Sequence, residues 1–244
     1  MRSKNSYLTL ITVLVFHSIF ISCNNCTEGV GQIESRLLTL DSFSVIELSL
    51  STDVIIRQGE SQEISVRGNP NILDRLNQNV SSDGTWSVNL GNGCFTDFIL
   101  EVEIIVPDIN RVIVNGSGNL MLTEFSSSET LSIDIFGSGD VRMNNGFIGA
   151  GLNVNISGSG SVTATGNFNP INNLSIVISG SGRFEGFPVR TNDCDISISG
   201  SGSSEVNVVD NLNVIISGSG SVLYRVNPTI TQTINGSGNL INDN

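Results

Sequence analysis

Apolar and polar residues alternate in short runs along most of the chain. In the second half, each run leads into a Gly-Ser-Gly tripeptide, as Leu131, Ile133 and Ile135 do before Gly137. A period of two predicts a strand with one buried and one exposed face. An apolar residue such as Val141 returns two positions after the tripeptide, except in the fifth repeat, which has Ser204 there and Val206 instead. This indicates a second short strand in every repeat.

The tripeptide occurs seven times, at intervals of 18 to 22 residues. No helical periodicity lies between the copies, which excludes a fold of alternating strands and helices. A single strand cannot bury its apolar side alone, whereas stacked coils bury a continuous column. The pattern therefore predicts an all-β fold, a parallel β-solenoid whose seven rungs lie ~4.8 Å apart and turn at the tripeptides. The predicted turn glycines are Gly116, Gly118, Gly137, Gly139, Gly158, Gly160, Gly180, Gly182, Gly200, Gly202, Gly218, Gly220, Gly236 and Gly238.

The N-terminal half alternates in the same way but lacks the tripeptide. We expect it to supply the first coils and to cover one end of the column, where strand edges would otherwise be unpaired. One short helix is predicted around Pro70, and Trp86 is interpreted as a core residue. At the other end, the alternation weakens to Ile230, Gln232 and Ile234, as is typical of a terminal repeat.

The chain has 11 basic and 23 acidic side chains and a net charge of −12. Phosphate backbones and anionic lipid headgroups are bound through Lys and Arg, so this balance argues against nucleic acid as a partner. The only histidine, His17, and the only lysine, Lys4, lie in the first 22 residues. Without that segment, the chain lacks the imidazole of Ser-His-Asp and Cys-His catalysis and of most zinc sites. We therefore expect no enzymatic activity, no metal site and no cofactor.

Residues 1–22 have the pattern of a bacterial lipoprotein signal peptide. Arg2 and Lys4 precede an apolar segment that is too short for a comfortable membrane span, and Phe20-Ile21-Ser22-Cys23 resembles a lipobox. In this interpretation, Cys23 carries two or three acyl chains, which anchor a protein stably where one chain does not. The mature chain then has 9 basic and 23 acidic side chains, or −14, because Arg2 and Lys4 are removed. The alternative is an ordinary secretory signal that is cleaved nearby and leaves Cys23 free.

Three other cysteines remain, and export into an oxidising compartment permits disulfides. Cys26 and Cys94 both lie in Gly-rich, turn-like segments, so we expect them to form a disulfide bond. Cys194 occupies the inward position that Leu holds in neighbouring repeats, and it is predicted to be buried and inert. An acidic patch near Asp193, Asp195 and Asp210 lacks the Gly-rich calcium repeat and is interpreted as a solvated face.

Four motifs precede the repeats in a fixed order. They are Arg36-Leu-Leu-Thr-Leu-Asp-Ser-Phe43, Asp53-Val-Ile-Ile-Arg-Gln-Gly59, Asn69-Pro-Asn-Ile-Leu73 and Asp83-Gly-Thr-Trp-Ser-Val88. Together with the repeated Ile-Ser-Gly-Ser-Gly, they resemble the head GIN domain family, which is described as auto-transporter adhesins. The resemblance covers roughly residues 35 to 240. It implies a right-handed β-helix in envelope proteins, often lipoproteins of Bacteroidota-type bacteria, and it transfers no catalytic residues.

The sequence is thus divided into a signal peptide (1–22), a tether after the lipidated cysteine (23–34), an N-terminal strand-rich part (35–108) and the β-solenoid repeats (109–244). The leading hypothesis is a non-enzymatic lipoprotein, anchored to the outer membrane of a Gram-negative bacterium, whose polar ladders serve adhesion or the binding of a glycan or protein ligand. One alternative is a periplasmic structural or scaffolding protein. Another is a carbohydrate-active enzyme, which would need a carboxylate cluster in the N-terminal half that spacing does not reveal.

Overall fold

The computed structural model describes residues 26–126, 129–146 and 149–244, so the segment interpreted as a signal peptide and Cys23 lie outside the described residues. The described residues form strands, turns and one short helix, and the strands stack into a parallel solenoid, which confirms the predicted all-β fold. Its elements in chain order are β1 (Thr27–Glu28), β2 (Glu34–Leu38), β3 (Val45–Leu48), β4 (Asp53–Gln58), β5 (Glu63–Gly68), α1 (Pro70–Leu73), β6 (Thr85–Val88), β7 (Phe95–Thr96), β8 (Leu100–Val106), β9 (Arg111–Val114), β10 (Asn119–Thr123), β11 (Thr130–Ile135), β12 (Asp140–Asn144), β13 (Gly151–Gly158), β14 (Ser161–Thr165), β15 (Ile171–Gly180), β16 (Arg183–Gly200), β17 (Ser203–Gly218), β18 (Ser221–Arg225), β19 (Thr229–Gly236) and β20 (Asn239–Asn242).

Each Gly-Ser-Gly tripeptide separates a leading strand, which runs into it, from a trailing strand, which follows it. The long strands β16 and β17 begin as trailing strands and end as leading strands, and they join the two stacks into one continuous sheet. The leading stack has the order β6-β3-β9-β11-β13-β15-β16-β17-β19, and all its pairings are parallel. The trailing stack has the order β2-β5-β8-β4-β10-β12-β14-β16-β17-β18-β20, and it is parallel except where β5 pairs with β2 and β8.

The core is a set of apolar columns that run through the rungs in register. One column of the leading stack contains Ile133, Val154, Ile176, Ile196 and Val214, and each is exposed by 2% or less. The column exists because strand residues at i and i+2 share a face and equivalent positions of successive rungs are paired.

Cys194 lies in the neighbouring column, between Leu174 and Leu212, and is 2% exposed. Burial raises the pKa of its thiol, and the charge of Asp195 adds to that shift. A thiol that stays protonated and is closed to solvent behaves as a small apolar residue. The predicted core position of Cys194 is thus confirmed.

The N-terminal half also forms rungs, but their order in space differs from their order in the chain. The rung of β3 and β4 lies between the rung of β6 and β8 and the first tripeptide rung, which consists of β9 and β10. The corner at Leu50, Ser51 and Thr52 therefore stacks directly on the first Gly-Ser-Gly corner. The Oγ atoms of Ser51 and Ser117 are hydrogen-bonded at 2.8 Å.

The N-terminal end of the column is covered. The antiparallel strands β5 and β2 extend the trailing stack beyond β8, and the predicted short helix is present as α1, with Ile72 and Leu73 buried. Trp86 is fully buried, lies 5.5 Å from the ring of Phe43 and donates from Nε1 to the carbonyl of Asn77 at 3.0 Å. The predictions of a helix and of a core tryptophan are confirmed.

Candidate ligand-binding face

The seven tripeptides lie at the corners between leading and trailing strands, and two constraints favour glycine there, the backbone conformation and the close approach of the preceding rung. At Gly180 the backbone φ is +131°, a conformation that a side chain rarely adopts. At Gly182 the φ is outside that region, but a Cβ would lie 2.9 Å from the carbonyl oxygen of Gly160 and would overlap the side chain of Ile156. Besides allowing the chain to turn, glycine is therefore needed at this corner for the close approach of successive rungs.

The central serines of the tripeptides are all exposed. Their backbones continue the ladder from rung to rung: the N–H of Ser181 donates to the carbonyl of Gly158 at 2.9 Å, and the N–H of Ser201 donates to that of Gly180 at 2.9 Å. Since the backbone groups satisfy one another, the hydroxyl groups at the corner are open to solvent and to a ligand.

The outer side of the leading stack continues this polar surface over the last five rungs, from β13 to β19. Two neighbouring columns there hold serine, threonine, asparagine and two aliphatic residues, and none of them carries a charge. With rungs ~4.8 Å apart, the columns are about 20 Å long. We call this surface the neutral face, and its residues are Asn155, Val177, Ser197, Ile215, Thr233, Ser157, Ser179, Ser199, Ser217 and Asn235.

A shallow acidic groove of about 370 Å³ borders the neutral face. Asp193 and Asp195 lie in it, and each accepts a hydrogen bond from the amide of the next rung, from Asn211 at 2.7 Å and from Asn213 at 3.2 Å. No group of three or more potential metal-ligating side chains occurs among the described residues. The two carboxylates are therefore partnered by amides within the sheet.

Exposed ion pairs cross strands on the outer side of the trailing stack. Arg57 binds Glu103 and Arg67 binds Glu101, both at 2.9 Å, and these side chains are about half exposed. A groove of about 460 Å³ lies along Arg67, Glu101 and Glu103. The neutral face thus differs from this part of the trailing stack in carrying no charged side chain.

The comparisons with known proteins agree with this architecture. Residues 42–228 match the family model described as "Putative auto-transporter adhesin, head GIN domain". The chain belongs to this family. No curated protein matches it in sequence.

Solved structures share the fold of this head GIN domain. A crystal structure of a putative adhesin from Bacteroides fragilis has a TM-score of 0.77 and 21% identity, over 88% of this chain and 99% of that one. A putative lipid binding protein from Parabacteroides distasonis has a TM-score of 0.72 and 21% identity, over 90% and 100%. A putative adhesin from Parabacteroides merdae has a TM-score of 0.63 and 19% identity, over 89% and 99%. At these identities the likeness shows the fold alone.

The cysteines of the head GIN domain have separate structural roles. A disulfide joins Cys26 to Cys94, beside the short parallel pair of β1 and β7. Cys23, interpreted as the acylation site, lies outside the described residues. No helix in the described part of the chain has the length and apolar character needed to cross a membrane.

The head GIN domain also brings together two carboxylates that spacing did not reveal. Glu185 and Glu205 are register partners on β16 and β17. Burial raises the pKa of Glu205, the charge of Glu185 raises it further, and Arg225 opposes the shift. Glu185 itself accepts from Arg183 at 3.3 Å and from Thr163 at 3.2 Å. The sequence does contain a signal for this pair. In both repeats, an outward glutamate lies three positions after the second glycine of the tripeptide, which is Gly182 or Gly202.

Proposed function

We propose that this head GIN domain is a non-enzymatic lipoprotein of the cell envelope that acts as an adhesin and binds neutral glycans on its neutral face. The observation that carries the proposal is the absence of charge along two neighbouring columns over five rungs of a protein whose net charge is −12. The family's description as adhesins supports the same function.

The chemistry of the neutral face suits a hydroxyl-rich polymer. Serine and threonine hydroxyls and asparagine amides both donate and accept hydrogen bonds, as sugar hydroxyls do. No charged group has to be desolvated when such a ligand binds. Val177 and Ile215, which are 40% and 44% exposed, offer apolar contacts for the C–H surfaces of sugar rings. A row of equivalent positions also matches a ligand that is itself a repeating chain.

Binding to immobilised neutral glycans tests this assignment. Ser197→Glu places a carboxylate in the centre of the neutral face, where we expect it to reduce binding at least tenfold, because it must be desolvated on contact. Met121→Glu is the matched control, since it adds the same charge to the trailing stack, where Arg142 is its register partner. Equal binding by both variants and the parent chain, or no binding by any of them, would contradict the proposal.

Membrane anchoring is the second part of the proposal, and it rests on Cys23. We propose that acyl chains on Cys23 hold the protein at the outer membrane, since a chain with 23 acidic and 11 basic side chains gains little from anionic headgroups. Protease treatment of intact cells tests this, with Cys23→Ala as the comparison. We expect the protease to digest the native protein on whole cells. We expect the Cys23→Ala variant to be lost from the membrane fraction. Digestion only after the outer membrane is opened would favour a periplasmic structural protein instead.

A further inference from the structure

We infer that Phe136 is an aromatic subsite of the neutral face, and that this face selects an extended, β-linked neutral glycan lying along the solenoid axis. The inference rests on the proposed glycan binding and names the class of glycan. Phe136 is the last residue before the second tripeptide, and its side chain is 52% exposed. Every other aromatic side chain among the described residues is buried or only partly exposed.

The register of the leading stack places Phe136 at one end of the neutral face. It directly follows Ile135, whose register partner is Ile156, so it lies beside Ser157 at the start of the serine column. Its backbone belongs to the ladder, because its N–H donates to the carbonyl of Val114 at 2.8 Å. The aromatic side chain is therefore carried by a paired backbone next to the uncharged columns.

A phenylalanine at this position departs from the repeat. The equivalent residue is polar in the other six rungs, where it is Asn115, Ser157, Ser179, Ser199, Ser217 or Asn235. An outward ring adds nothing to the core columns, and none of the ring contacts found among the described residues involves Phe136. Exposed apolar side chains that lie together on a polar-rimmed surface mark binding sites.

Phe136 does lie together with two other exposed apolar side chains, and the three recur with a period of two rungs. Phe136 lies on the second tripeptide rung, Val177 on the fourth and Ile215 on the sixth. With rungs ~4.8 Å apart, successive apolar side chains are ~10 Å apart along the axis. The third and fifth rungs, which lie between them, present only asparagine and serine in the two columns. Apolar and polar rungs therefore alternate along the face.

This alternation matches one class of polysaccharide. In an extended β-1,4-linked chain, successive sugar rings are turned over, so the same ring face is presented at every second sugar. One sugar of such a chain is about as long as one rung is high, so its two-sugar repeat fits the two-rung repeat of Phe136, Val177 and Ile215. An α-1,4-linked chain coils instead and does not follow a straight row.

The two kinds of rung then make different contacts with the glycan. The negative face of an aromatic ring attracts the positive C–H hydrogens of a sugar ring, and Phe136 offers this contact at the end of the row. Sugar hydroxyls meet the serine and asparagine side chains of the intervening rungs, which both donate and accept hydrogen bonds.

The acidic groove beside the neutral face discriminates against acidic glycans. Asp195 precedes Ser197 by two residues and lies in that groove with Asp193. A uronic acid bound on the neutral face would bring its carboxylate close to these two, and like charges repel. The groove thus favours neutral sugars by penalising charged ones.

Calorimetric titration with hexasaccharides tests the inference. The protein is the full chain with Cys23→Ala, which removes the proposed acyl chains. The probes are the β-1,4-linked hexasaccharides of glucose, mannose and xylose. Maltohexaose, the α-1,4-linked hexasaccharide of glucose, is the matched ligand, because it differs from the first probe only in its linkage. We expect at least one β-linked probe to bind, and to bind more tightly than maltohexaose.

Substitutions of Phe136 supply the second arm of the test. Phe136→Ala should weaken binding of that β-linked probe about tenfold, because the ligand no longer buries an apolar ring. Phe136→Tyr keeps the ring and should stay within about twofold of the parent affinity. Leu37→Ala is the matched control, since it removes a side chain that is 71% exposed on β2 of the trailing stack and should leave binding unchanged.

The outcomes separate this inference from the proposed function when Ser197→Glu is measured on the same probe. If Ser197→Glu loses binding and Phe136→Ala does not, the inference is overturned while glycan binding stands. Equal or tighter binding of maltohexaose, binding only of neutral glycans other than the β-linked probes, or an equal loss in Leu37→Ala has the same consequence. A parent chain that binds no neutral glycan overturns both.

Discussion

At the scale of single residues, one tripeptide contains two glycines with opposite tolerance for a side chain. A Cβ on Gly118 would overlap the carbonyl of Leu50 and lie 2.6 Å from that of Thr52, whereas a Cβ on Gly116 meets its nearest atom at 3.5 Å. We expect Gly118→Ala to destabilise the protein by about 1–3 kcal/mol, the usual cost of overpacking. Gly116→Ala should be neutral or stabilising by up to about 1 kcal/mol, through the entropy of the unfolded chain. Chemical denaturation measures both, and equal losses would contradict the steric explanation.

A buried carboxylate on the outer side of the leading stack provides a second residue-scale prediction. The side chain of Asp134 is 5% exposed and accepts from Nε of Arg111 at 2.7 Å and from the amide of Asn155 at 2.8 Å. Asp134→Ala should cost about 1.5–3 kcal/mol, because two charge-assisted hydrogen bonds are lost across three rungs. Glu101→Ala is the control: its ion pair with Arg67 is exposed, so about 0–1 kcal/mol is expected. A loss at Glu101 as large as that at Asp134 would refute the role of burial.

At the scale of elements, the repeated rungs were predictable and the order of the first rungs was not. The inward positions of β11 to β17 could be identified because each alternation ends at a tripeptide that fixes its register. Val54 and Ile56 alternate just as clearly, but no local signal states that β3 and β4 lie between the rung of β6 and β8 and that of β9 and β10. That placement depends on pairings between strands about 40 to 65 residues apart, which alternation alone does not encode.

The same limit applies to the candidate site. The corner serines were visible as a motif, whereas the neutral face becomes apparent only when outward positions of five rungs are aligned. Val177 and Ile215 lie in the middle of apolar runs, and the sequence gives no sign that they are the exposed members. The last rung was anticipated as a weaker repeat, and its inward positions Ile230 and Gln232 are exposed.

The paired strands β16 and β17 also determine a pH dependence. Since the pKa of Glu205 is raised in the folded protein, the folded state binds a proton more tightly than the unfolded state. This contribution favours folding at low pH and is lost as the pH rises through the raised pKa. Glu205→Gln should therefore raise Tm at pH 7 relative to the parent chain, and the difference should shrink towards pH 4. Melting curves from pH 4 to 8 test this, with Glu101→Gln as a control for which no gain is expected; a constant difference would contradict the assignment.

At the scale of the whole molecule, stability should be close to a sum over rungs and their contacts, because each rung touches only its neighbours. Removal of residues 201–218 joins Gly200 to Ser219 and restores a Gly-Ser-Gly corner, and Gly200 and Gly218 are register partners, so the remaining rungs stay in phase. The shortened chain should fold cooperatively. At about 0.05–0.15 kcal/mol per residue, the deletion removes roughly 1–3 kcal/mol, equivalent to roughly 2–12 °C in Tm.

The matched control for that deletion removes residues 201–209, half a rung, and joins one leading strand to the next without a corner. It deletes fewer residues but should abolish the cooperative transition, because every later side chain is forced out of its column. Circular dichroism and thermal melting distinguish the two chains. If the half-rung deletion folded as well as the full-rung deletion, the register of the corners would not be what holds the columns of the solenoid and its neutral face together.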